Sequence, residues 1–182
     1  MGILWIVLGA IALLAVYVIA TYNGLITLKN RVAEASSDIE VQLKRRYELI
    51  PNLVNTVKGY AKHEKELLEK VTEERAGLMK GTTADKVTAS NQMTETLKSL
   101  FAVAENYPDL KANSNFLQLQ QDLTDTQDKI MSAQRFYNGN VRDFNTKIQV
   151  FPNNLYAKQL GFGKFEFIEA TEGEKENVEV SF

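Results

Sequence analysis

The chain has 182 residues, enough for one domain plus an anchoring segment, and is slightly acidic, with 21 basic against 23 acidic side chains. That balance gives no general electrostatic reason to bind nucleic acid. The absence of cysteine excludes disulfides, thiol catalysis and cysteine-ligated metals, and three prolines with ten glycines favour long helices over many short strands.

From Met1 to Leu28 no side chain is charged. The stretch from Ile3 to Ala20 or Tyr22 matches the ~20 apolar residues that cross a bilayer. Val18-Ile19-Ala20 resembles a signal-peptide cleavage site, but the apolar region is too long and no Lys or Arg precedes it, so a retained anchor is expected. Lys29 and Arg31 follow the span, which places the C-terminal body in the cytoplasm and the N-terminus outside. Trp5, Tyr17 and Tyr22 suit the two interfaces.

Beyond the span, Leu25, Leu28, Val32, Ala35 and Ile39 form a three-and-four seam, with Leu43 on the same face. Asn23-Gly24 is too weak a breaker to separate seam from span, so anchor and first helix read as one rod, to about Arg46. Pro51 suits the first turn of a second helix, which would carry Leu53, Val54, Val57, Ala61, Leu67, Leu68, Val71 and Leu78 inward and end at Gly81. A third helix, capped by Thr82-Thr83, would carry Val87, Met93, Leu97, Leu100, Phe101 and Ala104 and stop at Tyr107-Pro108.

"YPDLKANSNF" then reads as a loop with Asp109 or Ser114 as N-cap. A fourth helix runs from Ser114 to Val150 on a regular seam from Phe116 through Leu123, Ile130, Tyr137 and Phe144 to Ile148, interrupted by Asn138-Gly139-Asn140 and closed by Phe151-Pro152. The return of the chain brings Phe151 back towards the lipid. Asn154 to Leu160 can add a helical turn or two ended by Gly161. Phe165 and Phe167 alternate around Glu166 like a short strand, as do Val178, Val180 and Phe182, with six glutamates against one lysine from Phe165 onward. This tail is either disordered, in contact with a second subunit, or in contact with the membrane.

The fold class is therefore all-α: an N-terminal transmembrane helix continuing into an elongated antiparallel four-helix bundle, with a short β-like tail. The boundaries are 1–22 for the anchor, 23–152 for the bundle and 153–182 for the C-terminal segment. On this reading the basic triplet Lys44-Arg45-Arg46 sits ~36 Å from the membrane (about 24 residues of helix), far beyond the ~8 Å reach of surface charge. It either caps the first helix at a hairpin corner or, with Tyr107, Asp109 and Lys111, forms a distal site for an anion or a protein partner. Asn30, Asp38 and Asn52 are either buried register-setting groups or solvated, and Tyr137 is a core tyrosine with a satisfied hydroxyl.

These stretches carry a resemblance. Tyr22-Asn23-Gly24-Leu25-Ile26, Lys29-Asn30-Arg31-Val32, "SSDIEVQLKRRYELIPNLVNTVKGYAKHE", "NYPDLKANSNF", "AQRFYN", Phe151-Pro152 and Gly161-Phe162 resemble, in order, the LemA family, a bacterial group itself similar to some magnetosome-associated proteins. The likeness covers about residues 20–167; helix three and the tail beyond Ile168 carry no family motif. It implies a single-pass protein of the bacterial cytoplasmic membrane with a helical bundle, and carries over no enzymatic reaction.

Catalytic chemistry is not expected. His63 is the one histidine; a zinc-protease motif needs a second where Leu67 stands, and di-iron bundles need two Glu-x-x-His motifs. No cofactor or metal is expected, and no nucleic-acid partner. The expected function is a homo-oligomeric membrane scaffold that contacts the bilayer and organises or shapes it, without catalysis. Gly9, Ala12, Ala15, Ala20 and Gly24 would allow close helix approach, with Phe165 and Phe167 as further self-association contacts. The competing reading is an adaptor or sensor binding a protein or peptide at its distal tip.

Overall fold

The computed structural model of the chain describes residues 1–169; the tail readings at Val178–Phe182 and the charged turn before it lie outside them. The described residues are helical and contain no strand. Helix α1 runs Gly2–Tyr60, α2 Lys65–Arg75, α3 Thr83–Ala104, α4 Pro108–Lys111 and α5 Ser114–Gln149, with short 3-10 turns at Ala76–Met79 and Asn153–Leu155. By packing, the chain forms two compact units, one of Met1–Ala35 with Phe136–Phe167, the other of Ser36–Arg135 with Ile168. This division follows spatial contacts and cuts across the sequence boundaries at 22 and 152.

In the second unit, the expected corner at Arg46 and the new helix at Pro51 are both corrected: α1 continues through Pro51 to Tyr60. Proline lacks an N–H, so the carbonyl four residues back, on Tyr47, loses its intrahelical donor. Arg75 Nε, at the end of α2, donates to that Tyr47 oxygen at 2.9 Å, and its guanidinium stacks 3.6 Å over the Tyr47 ring. The foreign donor supplies what Pro51 cannot. The long second helix expected to end at Gly81 becomes the turn Ala61–Glu64, the short α2 and the 3-10 turn.

Gly81 takes φ +82, and a Cβ there would meet Asp85 Oδ2 at 2.6 Å. Thr82 then caps α3 as expected: its hydroxyl accepts from Asp85 N–H, and Thr82 N–H donates to the Asp85 carboxylate. The Thr82 hydroxyl, which donates to Asp85 Oδ2 at 2.7 Å, and then the Thr82 N–H hold the exposed Asp85 carboxyl below its usual range. The N-cap of α5 is Asn113, not Asp109 or Ser114; its Oδ1 accepts from Phe116 N–H at 3.0 Å.

Bonded pairs give the helix directions. Arg45 lies against Asp122 and Tyr60 against Asn113, so α1 and α5 run oppositely. Ser36 meets Thr83 and Glu40 meets Lys86, so α1 and α3 run together. Thr96 meets Glu74 and Tyr107 meets Glu64, so α2 opposes α3. The core between them includes Ile50, Leu53, Val57, Leu68, Val71, Leu78, Met93, Leu97, Leu100, Leu110, Phe116 and Leu123.

The first unit packs Leu25, Val32, Val141, Phe144, Ile148, Ala157 and Phe162 together. Helix α5 passes unbroken through Asn138-Gly139-Asn140, where Asn140 Nδ2 donates to the Phe136 carbonyl. Gly161, at φ +81, closes the turn at residues 157–160 in a Schellman motif: Phe162 N–H bonds the Ala157 carbonyl and Gly161 N–H bonds that of Lys158. The strand expected at Phe165 is absent. Asn145 substitutes for a neighbouring strand, its Oδ1 accepting from Phe165 N–H and its Nδ2 donating to Phe165 C=O. Phe165 packs edge-on against Phe144.

Removing the Arg75 side chain should cost about 1–2 kcal/mol, because Tyr47 C=O loses its donor. In a Pro51→Ala background, where residue 51 regains its N–H, the same Arg75→Ala change should cost less. Thermal unfolding of detergent-solubilised protein across this double-mutant cycle checks the coupling; additive effects would contradict it.

Candidate functional site

The seam of α1 does not stop at Leu43. Counting on through Ile39, Leu43, Arg46, Ile50, Leu53 and Val57 keeps three-and-four spacing, and every one of these residues is buried. Arg46 therefore occupies a core position, 1 % exposed. The matching seam of α3 carries Ser90 between Val87 and Met93, and that of α5 carries Thr126 between Leu123 and Ile130. A polar layer thus crosses a mostly apolar core.

Arg46 Nη1 donates to the Ser90 carbonyl at 3.0 Å, the Ser90 hydroxyl at 2.7 Å and Gln127 Oε1 at 2.5 Å; Nη2 donates to the Thr94 hydroxyl at 2.9 Å. All these acceptors are uncharged, and Nε has no hydrogen-bond partner. Burial lowers the guanidinium pKa to about 10, so the group stays charged at neutral pH. A cleft of about 200 Å³ lies beside the layer, lined by Arg46, Thr94, Leu97, Phe101, Leu123 and Gln127 among others. Such a planar fork bonds α3 and α5 at once, and a slip of any one of the three helices would break its hydrogen bonds.

The triplet is thus not a corner but a mid-helix step whose three members part company. Lys44 is exposed beside Glu48, Arg45 reaches Asp122 at 3.7 Å, and Arg46 is internal. Tyr107, Asp109 and Lys111 lie elsewhere, where α3 passes into α4. Tyr107 donates to Glu64 at 2.8 Å, a bond that holds its hydroxyl pKa above the ordinary tyrosine value. Lys111 pairs with Glu105, and Asp109 is exposed. Arg46 is separated by 14 residues of α1, ~21 Å, from Tyr60, which bonds Asn113 beside α4. The two halves of the expected distal site are not brought together. Asn30, Asp38 and Asn52 are all exposed; the buried charged group is Arg46.

In the first unit, residues 1–20 are exposed except half-buried Val18, with Ile3 at 80 % and Trp5 at 71 %. This is the stretch of α1 apolar enough to cross a membrane. Gly9, Ala12 and Ala20 lie open along it, and nothing approaches within 4 Å of where a Cβ would stand at Gly9 or Gly24. Tyr137 is half-buried and donates to the Glu166 carbonyl at 3.3 Å. Phe165 is half-buried on Phe144, whereas Phe167 is 51 % exposed.

Arg46→Ala should destabilise the protein by about 3 kcal/mol or more, leaving Ser90, Thr94 and Gln127 short of a donor. Arg46→Met combined with Thr94→Val and Gln127→Leu should recover part of that loss. Unfolding in detergent checks both. A cost for Arg46→Ala within the roughly 0.5 kcal/mol of an ordinary surface change would contradict the layer's role.

A LemA family model matches residues 35–182. The chain is 32 % identical to Protein LemA of Metamycoplasma hominis, over 87 % of this chain and 74 % of that protein. It is 23 % identical to Magnetosome protein MamQ 2 of Paramagnetospirillum magneticum, over 90 % of this chain and 70 % of that protein. With Magnetosome protein MamQ of Magnetospirillum gryphiswaldense it shares 24 % identity, over 80 % of this chain and 64 % of that protein. The extent of the family match and the likeness to Protein LemA agree: the chain belongs to the LemA family.

Proposed function

We propose that the protein is a membrane-anchored helical scaffold that self-associates and organises or shapes the bacterial cytoplasmic membrane, without catalysis. The observation that carries this reading is the exposed apolar stretch at the start of α1, in the same unbroken helix that supplies a wall of the second unit's core. About 20 apolar residues left almost wholly exposed need hydrocarbon around them. The alternating directions of α1, α2, α3 and α5 support reading the second unit as an antiparallel four-helix bundle held in register by Arg46.

The likeness to proteins named for the magnetosome supports a membrane-organising role. Lys29 and Arg31 after the span favour a cytoplasmic body and an external N-terminus. Gly9, Ala12 and Ala20, exposed in one chain, and half-buried Gly24 suit close contact with the same helix of a second copy, and Phe167 offers a further exposed contact.

The competing reading, an adaptor, is favoured by a groove of about 740 Å³ between the end of α1 and α2, lined by Lys58, Lys62, Lys65, Ala61 and Leu68 among others. One experiment separates the two. Light scattering of full-length protein extracted in detergent should give large, uniform assemblies for the scaffold, disrupted by Gly9→Leu with Ala12→Leu. A monomer that co-purifies with one protein in equal amount would replace the scaffold with the adaptor.

A further inference from the structure

In the first unit, the chain after α5 turns back against the apolar start of α1. Asn153, 2 % exposed, is the joint: its Oδ1 accepts from Tyr17 Oη at 3.4 Å and Tyr156 Oη at 2.8 Å, and its Nδ2 donates to the Lys147 carbonyl at 2.8 Å. Tyr17 belongs to the exposed apolar stretch that would lie in the bilayer. The segment joined to it, "IQVFPNNLYA" from Ile148 to Ala157, contains no charged residue, and the exposed Lys147 and Lys158 flank it.

The apolar side chains of this segment divide between two surfaces. Ile148 and Ala157 are buried in the unit's core with Phe162. Val150, Phe151, Leu155 and, just beyond, Leu160 face outward at 44, 78, 61 and 39 % exposure. The backbone is prepared for a medium poor in water: Asn153 satisfies one of the end carbonyls of α5, Val150 N–H bonds the Thr146 carbonyl, and the Schellman motif at Gly161 satisfies Ala157 and Lys158. Exposed Tyr17 and half-buried Tyr156 with bonded hydroxyls, outward aliphatic and phenyl groups, and flanking lysines are the composition of a membrane interface.

We propose that residues 148–160 form a second membrane contact, a foot whose outward side chains Val150, Phe151 and Leu155 sit among lipid headgroups and upper acyl carbons beside the spanning helix. The inference rests on the reading of α1 as a membrane anchor and goes beyond it. One helix alone is free to tilt and rotate; a foot fixed to it through Tyr17 and Asn153 would restrict both, and would give the first unit a defined face towards the lipid.

The test uses the full-length protein reconstituted into phosphatidylcholine vesicles whose lipids carry bromine on upper acyl carbons. Wild type reports the anchor through Trp5, its one tryptophan. Two reporters in a Trp5→Phe background, Phe151→Trp and Leu155→Trp, report the foot, and Phe136→Trp, exposed on α5 of the same unit, is the control. The expected result is blue-shifted, bromine-quenched emission from positions 151 and 155, with position 136 quenched by aqueous iodide instead. Quenching of 151 and 155 by iodide alone, with Trp5 still quenched by bromine, would overturn the foot and leave the anchor intact. Protection of 151 and 155 from both quenchers would also overturn it, assigning the surface to a second copy. Absence of bromine quenching at Trp5 would overturn the anchor reading and the foot with it.

Discussion

A proline in the middle of a helix leaves one carbonyl without a donor, and the course of α1 depends on how that carbonyl is satisfied. Arg75 answers it from α2, donating to Tyr47 while lying flat on the Tyr47 ring. The consequence runs along the helix. Since α1 does not break at Pro51, the seam begun at Leu25 continues through Ile50, Leu53 and Val57, all buried. The same contact fixes the end of α2 against α1, so the helix that continues and the helix that turns back are determined together.

Polar side chains do the positioning in both units. In the second, Arg46 joins α1 to α3 and α5 through uncharged acceptors, a costly arrangement for a buried cation and one that few alternative packings would satisfy. In the first, two asparagines act as substitutes for regular structure: Asn145 takes both backbone groups of Phe165, and Asn153 ties the end of α5 to Tyr17 and Tyr156. Apolar seams bring the helices together; these few hydrogen bonds are satisfied in one register and would be lost in another.

Much of this architecture was legible in the sequence because it is local. The uncharged N-terminal run, the capped start of α3 at Thr82 and the long seam of α5 are all patterns within one segment. Where the structure departs from the local pattern, the determinant is distant in sequence. Pro51 reads as a helix start because its rescuer, Arg75, is 28 residues away in sequence. Lys44-Arg45-Arg46 reads as a charged corner because three cations in a row suggest solvent, although the spacing from Ile39 and Leu43 to Ile50 already places Arg46 on the apolar face. Phe165 to Phe167 alternates like a strand, but no pattern within those residues indicates that Asn145 would occupy the edge. The candidate site was accordingly half-legible: Arg46 was singled out, while its partners Ser90, Thr94 and Gln127 carry no motif of their own.

Hydrogen–deuterium exchange along α1, in protein reconstituted into lipid, tests most directly whether anchor and body are one helix. Continuous protection from the end of the apolar stretch through Asn23-Gly24, across Pro51 and on to Val57 is the predicted result. Rapid exchange confined to residues 22–25, or to the turn that follows Tyr47, would mean that a hinge separates the anchor from the body or divides the body itself, and would contradict it.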